Sequence, residues 1–181
     1  IIRECLKYFK IDDPLYISTV ADIPAKSGLG SSSSFTVGLL NALYAYTGQK
    51  VSAGKLAEEA CHIEIDIMKS PIGKQDQYAA AFGGFNKFDF EASGVQSQSL
   101  EMMMHSDQLF ENIQLFWTGV ERSTDDILNS IDFTDSTNKQ KVQSIVKDCE
   151  NVFEKIKKKE IKNFEELGKL FDKSWQTKKS L

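Results

Sequence analysis

The sequence predicts an α+β protein, and three observations support that fold class. Apolar residues recur at helical spacing in several segments, above all in 31–46, 52–69 and 139–157. Runs rich in β-branched and aromatic residues, such as 15–23 and 85–90, have the pattern of strands. Along the chain these elements come in blocks, in the order strand, three helices, three strands and three helices.

The first part of the chain is predicted to be mainly helical. Residues 1–10 have the pattern of the end of a helix, and Leu15–Ile23 is predicted to be a strand. The helix over 31–46 is apolar on nearly every face and is therefore expected to be buried, whereas the helix after it has one apolar stripe. A further short helix is expected to have Pro71 in its first turn and to end at Gly83.

The rest of the chain is predicted to start with strands and to finish as a helical hairpin. The expected strands are Phe85–Phe90, Gln96–Met102 and Ile113–Val120. A helix capped by Ser123 or Thr124 is expected next. Two amphipathic segments, 139–157 and 164–175, are separated by a short polar connection and are predicted to pack as antiparallel helices.

Composition and charge exclude several classes of protein. The chain of 181 residues is 41% apolar, enough for one sizeable domain or two small ones. Its three cysteines lie far apart without metal-ligand spacing, so buried thiols of a cytoplasmic protein are expected. The apolar stretch 35–46 is too short to span a bilayer. Residues 1–138 hold 10 basic and 19 acidic side chains, which argues against a nucleic-acid partner, and no membrane partner is expected.

Residues Pro24–Ser34 form a loop rich in glycine and serine between the first predicted strand and the buried helix. Glycine lets backbone N–H groups come close to an anion, and serines can cap the start of a helix. The N–H groups and the helix dipole together favour a phosphate there. A tight turn with an ordinary cap is the alternative. A Walker loop is excluded because Gly73-Lys74 and similar pairs are not followed by Ser or Thr, and a dinucleotide loop would need glycine at Ser33.

Two acidic residues have surroundings that are unusual for surface charges. Glu64 has apolar neighbours one helical turn away on both sides, and a carboxylate buried among them requires a cation. That cation is either a lysine, such as Lys69 or Lys74, or a metal ion, and the pattern favours neither. Asp76 lies near the start of the short helix. Its carboxylate either compensates the helix dipole or, because its neighbours are small or apolar, is open to close approach by another group.

The full pattern Pro-x-x-x-Gly-Leu-Gly-Ser-Ser, residues 24–32, resembles the phosphate loop of the GHMP small-molecule kinases. This superfamily includes galactokinase, homoserine kinase and mevalonate kinase. Residues 73–77 resemble its Gly-x-x-Asp-Gln stretch, and Glu64 precedes Asp76 by twelve residues, as in galactokinase-like relatives. The resemblance implies an enzyme that transfers the γ-phosphoryl group of ATP to a hydroxyl group.

Within the superfamily, several segments most resemble the D-glycero-D-manno-heptose 7-phosphate kinases. These segments are Pro71–Tyr78, Phe82–Asn86 and Trp117–Val120 with Arg122-Ser123. They imply phosphorylation of the anomeric hydroxyl of that sugar phosphate, in the synthesis of nucleotide-activated heptose. The alternatives are another kinase of the superfamily, acting on galactose, fucose or mevalonate, and a non-catalytic sensor of sugar and ATP on the same fold.

The resemblance also implies a role for each site residue. The ATP phosphates would bind at Lys26, Gly28, Leu29, Gly30, Ser31, Ser32 and Ser33. Ser32 and Glu64 would hold Mg²⁺, which prefers a few protein oxygens and several waters. Asp76 would be the catalytic residue that accepts or orients the proton of the sugar hydroxyl.

The implied architecture is the GHMP kinase fold, with the active site between two domains. Residues 1–108 would form an N-terminal ATP-binding domain similar to domain 2 of ribosomal protein S5, and residues 109–181 a C-terminal α/β domain. Both domains are expected to be truncated, because both chain ends look cut and the first and third motifs of the superfamily are absent. The expected partners are ATP and a small sugar phosphate, and the resemblance is compatible with a homodimer.

Overall fold

A computed structural model describes residues 1–23, 27–101, 106–119, 132, 134–161 and 163–180 of the chain. Its helices are α1 (Ile2–Phe9), α2 (Ser31–Tyr46), α3 (Ala53–Cys61), α4 (Gln75–Phe82), α5 (Ser106–Glu111), α6 (Ser136–Lys157) and α7 (Phe164–Lys179). Its strands are β1 (Asn86–Glu91) and β2 (Gly94–Ser99). The described chain is thus a mixture of helix and strand, as the predicted fold class requires.

The chain divides into two compact units. The first consists of Ile1–Gly83 and the described part of Phe116–Leu128, and the second of Gly84–Leu115 and the described part of Asn129–Leu181. The first unit contains α1 to α4, and the second contains the strands and α5 to α7. The domain boundary expected after residue 108 concerns the whole protein and stays a prediction.

Helix α2 is the centre of the first unit. Its side chains Leu39, Leu40 and Leu43 are buried, and they belong to one apolar cluster with residues of α1 and α3. Helix α4 also packs against both α2 and α3. The predicted burial holds for one side of α2 only, since Gly38 and Ala42 remain exposed. Because α2 packs against α1, α3 and α4, its first residue, Ser31, has a defined position at the end of the glycine- and serine-rich loop.

The second unit combines a β-hairpin with a helical hairpin. Strands β1 and β2 pair antiparallel, with Asn86 opposite Ser99 and Glu91 opposite Gly94. Helices α6 and α7 pack together as predicted, with Ile156 and Leu167 buried. Helix α6 begins where the Asp135 carboxylate accepts hydrogen bonds from the N–H groups of residues 137 and 138, at 2.8 and 3.0 Å.

The cysteines follow the expectation of buried thiols in part. Cys5 and Cys61 are buried, whereas Cys149 is exposed on α6. Val146, another apolar residue of α6, is also exposed. The apolar stripe predicted for segment 139–157 is therefore wider than the face of α6 that is buried.

Two predicted strands are absent from the described residues. Leu15–Ile23 has no regular secondary structure. Leu15 and Ile17 pack on the apolar cluster, but Tyr16 and Val20 are each 95% exposed. Described residues 113–119 likewise form no strand. A strand requires a neighbour for its backbone hydrogen bonds, and the only ladder in the described chain joins β1 and β2. The prediction of strands over 15–23 and 113–119 is therefore wrong for the described residues.

Two helix boundaries also differ from the prediction. The helix expected over 52–69 is α-helical only to Cys61 and continues as a π-helical turn, His62–Ile67. The next helix begins at Gln75, not at Pro71. The residues between them form an irregular connection, in which Lys69 has φ +60° and the N–H of Ile72 donates to the carbonyl of Ser70 at 2.9 Å.

A few predictions lie outside the described residues. They concern Lys26, Met102, Val120 and the helix start at Ser123 or Thr124. Among the helices that the structure does describe, none combines the length and the hydrophobicity needed to cross a bilayer.

Candidate active site

The loop before α2 depends on two glycines with left-handed backbones. Gly28 has φ +79° and Gly30 has φ +67°, a region that residues with a Cβ rarely adopt. Gly30 is the N-cap residue of α2, and no side chain caps this helix. The expectation that serines cap the helix is therefore wrong, because a glycine occupies the cap position and the serines belong to the first helical turn.

The first turn of α2 is suited to an anion. The N–H of Ser34 donates to the carbonyl of Gly30 at 2.9 Å, which leaves the N–H groups of Ser31, Ser32 and Ser33 without an acceptor within the helix. The first turn carries no acidic side chain, and α2 extends over 16 residues. Unpaired N–H groups and the positive end of the helix dipole therefore coincide at this point.

The Glu64 carboxylate is buried beside this turn. Its side chain is 1% exposed and lies on the π-helical turn after α3. The hydroxyl of Ser32 donates a hydrogen bond to Oε1 of Glu64, and Nε2 of Gln77 donates to Oε2 at 2.7 Å. In the described part of the chain no salt bridge joins Glu64 to Lys69 or Lys74. The sequence left either a lysine or a metal ion as the cation beside Glu64. No such lysine is found among the described residues.

Ser32 and Glu64 offer oxygen atoms that suit Mg²⁺. A buried carboxylate with only neutral donors around it has charge left to balance, and a hydroxyl with one carboxylate is a donor set that Mg²⁺ accepts, with waters in the remaining positions. The described residues contain no cluster of three or more His, Cys, Asp or Glu side chains for a metal. The residues present therefore fit a weakly held Mg²⁺ better than a metal enclosed by protein ligands.

Asp76 lies against the loop. It is exposed, in the first turn of α4, and a Cβ added at Gly30 would lie 3.1 Å from its Cγ and 3.2 Å from its Oδ2. The lack of a side chain at Gly30 thus permits the carboxylate to approach the backbone at the start of α2. An exposed carboxylate at this position is accessible to a substrate.

The structure brings four of the predicted residues together: Gly30, Ser32, Glu64 and Asp76. Leu29 is 50% exposed, whereas Ser33 is 3% exposed, so only the backbone of Ser33 is available to a ligand at the surface. Lys26 is outside the described residues. Burial raises the pKa of the neighbouring Cys61 thiol to about 11, so this cysteine is protonated and unreactive at neutral pH.

Gln77 is a contact of the Glu64 carboxylate that sequence reasoning did not single out. It lies within the stretch that resembles the kinase motif, yet a glutamine beside a candidate catalytic aspartate has no distinctive spacing of its own. Its contact to Glu64 joins α4 to the π-helical turn across 13 residues. Only the packing of the two helices brings them together.

Comparison with known proteins finds a family match for the first part of the chain. Residues 1–84 match the family described as GHMP kinases N terminal domain. This segment includes the loop, Glu64 and Asp76. The predicted resemblance is therefore confirmed for residues 1–84, which match a GHMP kinase N-terminal domain.

Curated relatives carry the names of kinases. The chain is 30% identical over 171 residues to D-glycero-alpha-D-manno-heptose 7-phosphate kinase of Campylobacter jejuni, a match that covers 90% of the chain and 48% of the relative. It is 37% identical over 90 residues to mevalonate kinase of Methanothermobacter thermautotrophicus, covering 49% of the chain and 29% of the relative. A mevalonate kinase of Saccharolobus solfataricus is 25% identical over 93% of the chain and 51% of its own length.

The chain spans about half the length of the relatives from Campylobacter jejuni and Saccharolobus solfataricus. No solved structure matches it.

Proposed function

We propose that the protein containing this chain is an ATP-dependent kinase that phosphorylates a hydroxyl group of a small sugar or sugar phosphate. One observation carries the proposal: the start of α2, the Ser32–Glu64 pair and Asp76 meet at one place in the first unit. The family match and the kinase names of the relatives support the same reaction class.

The loop would hold the triphosphate of ATP. The N–H groups of the first turn of α2 would donate to the phosphates, and Gly28 has open space where a Cβ would lie. Phosphoryl transfer depends mainly on positioning and on neutralising charge, and backbone donors contribute both without having to reorganise. Lys26 is proposed as a further phosphate ligand.

Ser32 and Glu64 would hold the magnesium ion. Mg²⁺ supplies positive charge that balances the phosphate oxygens during transfer. Burial of Glu64 fixes its carboxylate, because the side chain is held from both oxygens by Ser32 and Gln77. The chain thus contributes an ordered pair of oxygen ligands at the start of the phosphate-binding helix.

Asp76 would accept or orient the proton of the acceptor hydroxyl. Its contact with Gly30 keeps the carboxylate next to the loop, while its exposure lets a sugar approach. A carboxylate positioned in this way brings the attacking oxygen toward the phosphoryl group and removes its proton.

For the acceptor we propose the anomeric hydroxyl of D-glycero-D-manno-heptose 7-phosphate. The local resemblance of Pro71–Tyr78 and the relative from Campylobacter jejuni, which matches over 90% of the chain, support this substrate. Mevalonate is the second candidate, because two relatives are named mevalonate kinase. We also propose that residues 1–108 belong to the ATP-binding domain and residues 109–181 to the second domain of a cytoplasmic protein.

The test is a phosphoryl-transfer screen with the full-length protein, ATP and Mg²⁺. The acceptors are the heptose 7-phosphate, galactose, fucose and mevalonate, and phosphorus NMR identifies the product. We expect transfer to the heptose 7-phosphate alone among these acceptors, with the new phosphate on its anomeric hydroxyl. Preference for mevalonate or galactose would overturn the substrate and leave the kinase, whereas ATP binding without transfer to any acceptor would favour a sensor.

A further inference from the structure

We infer that Gln77 is a positioning residue that holds the Glu64 carboxylate in the orientation in which it binds the metal. This inference rests on the proposed function, since it assigns a task at the same site. Gln77 lies on α4, is fully buried and donates from Nε2 to Oε2 of Glu64 at 2.7 Å.

The two oxygens of Glu64 receive one donor each, from two different helices. Ser32 on α2 donates to Oε1, and Gln77 on α4 donates to Oε2. A carboxylate held by a single donor can rotate about the bond to its chain, whereas two donors on opposite oxygens fix its plane. Groups that orient a metal ligand in this way commonly change metal affinity about 10–100-fold when they are removed.

The amide oxygen of Gln77 indicates that packing alone does not explain a glutamine at this position. Its Oε1 is buried and has no hydrogen-bond partner among the described residues. A buried acceptor without a partner destabilises the fold, so a methionine or leucine would suit this position better if it only filled space. The amide orientation follows from its partner, because an ionised carboxylate accepts hydrogen bonds and cannot donate them.

Gln77 also links the two acidic groups of the site. It follows Asp76 directly in the first half of α4, and Asp76 lies against Gly30. A shift of α4 that moved Asp76 would therefore also move the donor on Glu64. The geometry thus couples the position of the proposed base to the orientation of the proposed metal ligand.

The test compares two variants that each remove one neutral donor from a buried carboxylate of the first unit. Gln77→Met removes the donor to Glu64 and keeps the length of the side chain. Tyr44→Phe removes the hydroxyl that donates to both oxygens of Glu59 at 2.7 Å, outside the site. For each full-length variant, calorimetry measures the affinity for a non-hydrolysable ATP analogue as a function of Mg²⁺ concentration, and a melting curve measures stability.

For Gln77→Met we expect the Mg²⁺ concentration at half-maximal tightening of analogue binding to rise about tenfold. For Tyr44→Phe we expect a lower melting temperature and the Mg²⁺ dependence of the wild type. If Gln77→Met alters the melting temperature alone, Gln77 is structural and the inference is wrong. If it does not fold, Gln77→Asn decides in the same assay, because its amide is shorter by one methylene and does not reach Glu64.

The Mg²⁺ dependence of analogue binding in the wild type distinguishes a failure of this inference from a failure of the proposed function. Analogue binding that tightens with Mg²⁺ in the wild type, and equally in Gln77→Met, overturns the inference alone. Analogue binding that does not respond to Mg²⁺ in the wild type overturns the metal site and the inference with it.

Discussion

Glu64 and Asp76 illustrate how differently two carboxylates of one site can be held. Glu64 is buried and receives neutral donors on both oxygens, whereas Asp76 is exposed and lies against a glycine. Burial without a cationic partner leaves charge for a metal to balance, and exposure leaves an oxygen for a substrate. Each role predicts a different response to replacement by the corresponding amide.

Glu64→Gln is expected to raise the Mg²⁺ requirement of turnover at least about tenfold, because it removes the charge of the proposed ligand. Stability should change little, by about 1 kcal/mol or less, since no ion pair is lost. A buried salt bridge would instead cost about 3–5 kcal/mol when one partner is removed. Kinetics over a range of Mg²⁺ concentrations and a denaturant titration distinguish the two, with Glu58→Gln, an exposed residue of α3, as the control.

Asp76→Asn is expected to lower the rate of phosphoryl transfer about 10²-fold. Positioned bases contribute about 10²–10⁴-fold, and a loose transition state places the effect at the lower end. Affinity for ATP should stay as in the wild type, because the phosphates bind at the loop. Single-turnover kinetics on the full-length protein measure the rate, and a loss of less than about tenfold would contradict the role of base. Asp13→Asn, at an exposed aspartate near α1, is the control.

At the scale of elements, the start of α2 combines a left-handed glycine, a helix N-terminus and a neighbouring carboxylate. Gly30 is the residue at which the three meet: its backbone has φ +67°, it is the N-cap of α2, and its missing Cβ leaves room for Asp76. Segment 15–23, which has no ladder partner among the described residues, leads into this loop. Leu15 and Ile17 of this segment pack on the apolar cluster, whereas Tyr16 and Val20 are exposed.

Gly30→Ala is expected to weaken binding of an ATP analogue at least tenfold, or about 1.4 kcal/mol, and to destabilise the protein by about 1–2 kcal/mol. The added Cβ strains the backbone and displaces Asp76 from the loop. Gly48→Ala is the matched control, because Gly48 has φ +72° and open space where a Cβ would lie, at the opposite end of α2. It should lose similar stability and keep the affinity. Equal affinities in calorimetry would exclude the loop as the phosphate site.

For the whole molecule, charge and packing are unevenly distributed. Residues 1–138 carry the acidic excess, whereas residues 139–181 hold 12 lysines and 7 acidic side chains. Three groups whose pKa is strongly raised by burial lie in the first unit. Burial raises the pKa of Cys5 and Cys61 from 9 to about 11, and burial with a hydrogen bond to Glu59 raises the pKa of Tyr8 from 10 to about 12.

We therefore expect the first unit to lose stability in alkali. The folded state keeps protons on these groups that the unfolded state has released, so their contribution is complete below pH 9 and is lost as the pH rises through about 11 to 12. Denaturant titrations at pH 8 and pH 10.5, followed by circular dichroism, measure the change. Tyr8→Phe should reduce the pH dependence, and an equal free energy of unfolding at both pH values would contradict the burial of the thiols.

Much of the site could be predicted from the sequence because its parts are local. The spacing of glycines and serines before an apolar helix indicates a phosphate loop, and the apolar neighbours of Glu64 indicate its burial, which the structure confirms at 1% exposure. The contact of Ser32 with Glu64 agrees with their assignment to one site, although their role as metal ligands stays a prediction.

The sequence by itself determined the helices α2, α6 and α7 and the hairpin of the last two, because the period of apolar residues reports the local backbone. Only the tertiary structure decided that Glu64 lies on a π-helical turn, that Gln77 contacts it and that Leu15–Ile23 has no ladder partner among the described residues. The physical reason is common to all three. Each depends on which remote segment supplies a donor, an acceptor or a packed surface, and residues 13 or 32 positions apart acquire that relation only when the helices pack.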